Sequence, residues 1–107
     1  MDNIMAQNTH TPGPWSIRHD KGFNNDVIRS NGRLLATCYP EASPNGRLNK
    51  AGQSEAEANA RLIAAAPDLL TFVESITNAS GPYAYLNGTQ IVADAYRLAA
   101  KARGEAA

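Results

Sequence analysis

A chain of 107 residues with 43% hydrophobic side chains has room for one modest core and too much apolar content for a disordered polymer. Ten basic residues against ten acidic ones leave no net charge, which disfavours binding to nucleic acid through a broadly basic surface. The one cysteine, Cys38, excludes an internal disulfide and fits a reducing compartment.

No apolar run approaches the ~20 residues of a membrane span, and Met1 to Thr11 has neither a basic start nor an apolar stretch. A cytoplasmic protein with no targeting signal and no membrane partner is expected. Residues 1–9 are polar and without period, so they read as a flexible tail. Residues 10–104 read as a single α+β domain.

Thr11-Pro-Gly-Pro places two fixed φ angles around a glycine and delivers Trp15 toward a core. Three short strands follow: Trp15–Arg18 and Val27–Ser30, which alternate apolar and polar residues, and Arg33–Tyr39, which is rich in β-formers at its end. Asn31-Gly32 between the last two favours the positive φ angles of a two-residue hairpin. The segment 40–53, with two prolines and two glycines, reads as a long mobile loop.

Ser54 then opens a helix, with Glu57 completing a capping box, and Ala58, Leu62, Ile63 and Ala66 form its apolar stripe. Pro67 cannot continue that helix but suits the first turn of another, with Asp68 well placed for the dipole. Leu69, Leu70, Val73 and Ile76 give the second stripe. A third helix from Thr89 is expected to bury Ile91, Val92, Ala95, Leu98, Ala99 and Ala102 before Gly104 stops it. Strands followed by helices predict a small antiparallel three-stranded sheet with two or three helices packed on one face. Such a sheet has two open edges, which a second subunit often covers, so a homodimer or higher oligomer is among the expectations.

For chemistry, His10, His19 and Cys38 lack the close spacing of a metal site, and no metal or other cofactor is expected. Cys38 reads as a small apolar residue at a strand end, not as a nucleophile. Glu55 and Glu57 point in different directions on a helix, and the glycines form no phosphate cradle. The expectation is that the protein is not an enzyme.

A binding surface has more support. Arg29 and Arg33 flank the hairpin, Arg47 lies in the long loop, and Asn59 and Arg61 share a helix; guanidinium and amide donors suit phosphates or acidic protein surfaces. Tyr83 and Tyr85 follow Gly81-Pro82 and could stack on a base or pack at an interface.

Thr11-Pro-Gly-Pro-Trp15 and Glu57-Ala-Asn-Ala-Arg-Leu-Ile-Ala-Ala-Ala-Pro-Asp-Leu-Leu70 together resemble a family of short proteins encoded by bacteriophages and prophages. The resemblance spans Thr9 to Trp15, the strands loosely, Glu57 to Leu70 closely and the final Ala100 to Gly104. It carries no established activity and transfers no functional residue. It implies a mobile-element accessory protein that acts stoichiometrically, with a role against host defence. The leading expectation is an inhibitor that binds a host defence protein, as an anti-CRISPR does. The alternatives are an oligomeric sponge for a small nucleotide signal and a structural or regulatory phage protein.

Overall fold

The computed structural model describes residues 10–22, 24–40 and 50–105. The tail over 1–9, Arg47 and most of the segment expected to be a loop lie outside them. The chain divides into two compact units, one from Pro12 to Pro67 and the other from Asp68 onward, with the segment before Pro12 grouped with the second.

The first unit holds the sheet. Strands β1 (Ser16–Asp20), β2 (Asn25–Ser30) and β3 (Arg33–Cys38) form an antiparallel sheet in the order β1-β2-β3. The expected hairpin is present: Asn31 and Gly32 have φ of 50° and 78°, the double left-handed geometry that this dipeptide supplies. Pairing of Arg29 with Leu34 and of Ile28 with Ala36 leaves Leu35 as the extra residue of a bulge. Both edges are thereby blunted, β3 by its bulge and β1 by the charges of Arg18 and Asp20.

Helix α1 (Lys50–Ala64) lies on this sheet, chiefly against β2, and buries Gly52, Ala56 and Ala60. Two expectations are corrected here. Ser54 lies within the helix, which starts four residues earlier, so the expected Ser54–Glu57 capping box does not open it. The stripe of Ala58 and Leu62 is exposed, with Leu62 at 65%. Residues without bulk at every fourth position let the helix backbone approach the strands closely, and that contact outweighs both the local cap and the cost of about 1 kcal/mol for a helical glycine. The unit's core is Val27, Ile28, Ala56 and Ala60, with Ile28 fully buried.

The two motifs that carry the family resemblance meet in this unit. A Cβ built on Gly13 would lie 3.1 Å from the Pro67 Cβ, so the first motif passes against the second at a point where even a methyl group would be tight. The Pro12 carbonyl accepts a 2.8 Å hydrogen bond from Ser30 Oγ, which fixes the bend to the buried end of β2. The Gly13–Pro14 peptide is cis. Trp15, expected to be a core anchor, is only partly buried. Gly13→Val is expected to destabilise by about 1–3 kcal/mol through overpacking against a rigid ring. In urea unfolding, a double-mutant cycle with Pro67→Gly should show a coupling of about 1 kcal/mol that relieves part of that loss.

The second unit holds helices α2 (Ala66–Thr77, assigned to it from Asp68) and α3 (Gln90–Ala102), with a short 3-10 turn at Ala84–Leu86. Pro67 sits in the first turn of α2, as expected. Thr89 is the N-cap of α3 in extended geometry, and Gly104, at φ 75°, ends it with Glu105 N–H donating to the Ala100 carbonyl. The buried face of α3 is Val92, Ala95 and Ala99. Ile91, Leu98 and Ala102, expected inside, are exposed. The apolar arc of α3 is broader than the surface it buries. The overall outcome is the α+β class: a three-stranded antiparallel sheet followed by three helices.

Candidate functional site

An aromatic cluster stands on the surface of the helical unit. The chain from Asn78 to Thr89 turns back on itself through a run of short backbone bonds, including Ala84 N–H to Gly81 O at 3.1 Å and Leu86 N–H to Tyr83 O at 2.9 Å. The Asn87 amide closes the loop by donating to Ala79 O at 3.2 Å. This scaffold holds Tyr83 and Tyr85 with ring centroids 6.4 Å apart, and Tyr83 meets Phe72 of α2 edge-on at 5.6 Å and 80°. Tyr85 is 78% exposed and Phe72 52%, and Leu69, one turn before Phe72, is also exposed. Aromatic rings clustered at the surface and open to solvent suit packing against a protein or stacking on a base.

Tyr83 and Tyr85 are thus brought together as expected, while Phe72 was missed, because an aromatic at helical spacing reads as core. The other candidates lie in the first unit. Arg29 and Arg33 share the hairpin, where Arg29 Nη2 donates to Gly32 O at 2.6 Å and so clasps its own turn. Arg61 faces Glu57 one turn earlier at 3.9 Å, and Asn59 is exposed on α1. Arg29 and Arg61 are thereby engaged within their own elements.

Two further groupings escaped the sequence reading. His19 lies in β1, where its Nδ1 sits 3.1 Å from Oδ1 of Asp26, a carboxylate only 7% exposed. Asp26 pairs across the ladders with His19 on one side and Cys38 on the other, so antiparallel register gathers three residues far apart in sequence. Gln53, Ala56 and Glu57 of α1 close the small cavity next to His19 and Asp26. Among the described residues no group of three His, Cys, Asp or Glu side chains is placed to hold a metal ion.

In the helical unit a groove of about 600 Å³ runs between the end of α2 (Glu74, Thr77, then Asn78) and the far half of α3 (Tyr96, Ala99, then Arg103 and Glu105). Arg103 Nη1 lies 2.9 Å from Glu74 Oε2, and its Nε lies 2.7 Å from Glu105 Oε2. Tyr96 Oη donates to the Thr77 carbonyl at 3.2 Å. The hydrogen bond from Arg103, followed by its charge, outweighs desolvation and holds the Glu105 carboxyl below the usual carboxylate range. The same bond is the main cause of the upward shift of Arg103.

A carboxyl depressed in the fold stabilises it above the unfolded value and loses that contribution as pH falls through the folded value. Acidification below the usual carboxylate range is therefore expected to loosen the end of α3. The protection factors of the Gly104 and Glu105 amides should fall there, and Glu105→Gln should remove that acid-dependent step. Arg103 stays charged throughout and adds no step of its own.

Fold and surface together define a small α+β protein that displays an exposed aromatic cluster. The chain belongs to the phage protein family described as Salmonella phage P22 protein Y8K6, whose model matches residues 1–106. That match bears out the resemblance to phage proteins. Neither a search of curated proteins nor one of solved structures finds a match. No helix among the described residues is long and apolar enough to cross a membrane.

Proposed function

We propose that this phage protein works stoichiometrically in the cytoplasm of the infected cell, without catalysis, by binding and blocking a host defence protein. The observation that carries the reading is the Phe72–Tyr83–Tyr85 cluster, in mutual ring contact yet exposed. Tyrosine-rich clusters of this kind are where binding energy concentrates in protein interfaces. Sequestration of a nucleotide signal is the weaker reading. Its phosphates would need several guanidinium groups, and Arg29 already donates to the Gly32 carbonyl.

The test places a photo-crosslinking residue at position 85, with position 59 as the control, in infected or expressing cells. One host protein joined at 85 and not at 59, and binding the purified chain at a fixed ratio, is the expected result. Tyr85→Ala and Phe72→Ala should each weaken that complex about 30-fold, as for a 2 kcal/mol hot spot. Their unfolding midpoints should barely move. Depletion of a cyclic or linear nucleotide by the purified protein, with intact release on heating, would replace this reading with the sponge. Depletion with altered products would make the protein an enzyme.

A further inference from the structure

We infer that the Phe72–Tyr83–Tyr85 surface receives a proline-rich segment of the partner protein in the extended polyproline II conformation, a refinement that rests on the protein-binding reading above. Peptide segments dock on proteins in a few recurring ways, and the chemistry of this surface separates them. Residues 69–73 and 78–93, which include all three rings, contain no charged side chain. A phosphorylated or acidic motif finds no arginine or lysine in these stretches, and a basic motif finds no carboxylate. Addition of a strand needs an open row of backbone donors. In this loop the N–H groups of Asn78, Gly81, Ala84, Leu86, Asn87 and Thr89 already donate to carbonyls in or beside it.

What the surface offers instead is a pair of donors on apolar rings. Among the described residues the hydroxyls of Tyr83 and Tyr85 have no hydrogen-bond partner, although both rings pack on their aromatic neighbours. Covering those hydroxyls with a helix would give them no backbone acceptor, because a helix spends its carbonyls on its own N–H groups. A polyproline II segment has no internal hydrogen bonds, so its carbonyls are free to accept, and its prolines bring no N–H that this surface would have to satisfy. The pyrrolidine rings are apolar and the backbone is ordered before contact. They can therefore pack against Tyr83 and Tyr85, 6.4 Å apart, and against Phe72 beside them at little cost in entropy.

The test titrates capped decaproline into the isotopically labelled full chain, with a Gly-Ser peptide of the same length and a neutral, leucine-bearing alanine helix as controls. Saturable shifts at Phe72, Tyr83 and Tyr85 in the millimolar range, with decaproline alone, are expected. The affinity should change by less than about twofold between about 0.05 and 0.5 M salt, because no charge takes part. Tyr85→Phe keeps the ring and should weaken binding about fivefold, the scale of one neutral hydrogen bond, and Tyr85→Ala should weaken it further. An equal response to the Gly-Ser peptide, a preference for the helix, a steep salt dependence or no response to decaproline overturns the proposal. So does a Tyr85→Phe variant that binds as tightly as the natural chain. The two readings fail separately. A host protein that crosslinks at position 85 and is not displaced by decaproline removes this inference and leaves the protein-binding reading intact. Decaproline binding by a chain that captures no host protein at position 85 does the reverse.

Discussion

Ile28→Ala is expected to destabilise the protein by about 3 kcal/mol, within the range for emptying a buried isoleucine site. Ile28 is the one large side chain in the described residues that is fully enclosed. It occupies the middle of the central strand, opposite Ile17 on β1 and Ala36 on β3, beneath α1. Its neighbours on the helix are alanines that cannot swing inward to fill a void, so the lost contacts are not recovered by repacking. At 4–8 °C per kcal/mol for a domain of this size, the melting temperature should fall by roughly 12–24 °C. A midpoint shift in urea without a change in slope would confirm that the native state is what changed. A loss below about 1 kcal/mol would mean that the sheet and α1 are not the cooperative core.

The strands were legible because their signals are local. Asn31-Gly32 fixes the hairpin through the backbone preferences of two adjacent residues, and Pro67 marks the start of α2 through its own ring. What the sequence concealed depends on distance. Periodicity identifies α1 as amphipathic, but it ranks faces by side-chain size, and here the helix turns its bulky stripe outward and its smallest residues toward the sheet. Leu62 and Ala60 are two positions apart and exchange the roles that hydropathy assigns them.

The candidate site divides in the same way. Tyr83 and Tyr85 could be named because they stand two apart beside a Gly-Pro turn. Phe72 joins them only through the fold of the loop after α2, and the pairing of Glu74 with Arg103 spans 29 residues of sequence. His19 and Asp26 become neighbours by cross-strand register, which is set by turn geometry and not by any motif. Isolated arginines, by contrast, attract attention in a sequence because contacts such as the Arg29 hydrogen bond to its own turn are invisible there.

Ala60→Leu and Leu62→Ala form the sharpest comparison. Hydropathy alone would make the first change favourable, since a buried leucine side chain gains about 2 kcal/mol over exposure. Ala60 has no exposed surface, and the helix sits against the strands at the spacing its small residues set. A leucine there must lift α1 from β2 or drive Ile28 from its position, so a net loss of about 2–3 kcal/mol is expected. Leu62, at 65% exposed, should tolerate alanine within about 0.5 kcal/mol. Urea unfolding of the two variants decides between a helix that packs by its small residues and one that packs by its large ones. The reverse order of costs would place the Leu62 face against the sheet and overturn the packing of α1.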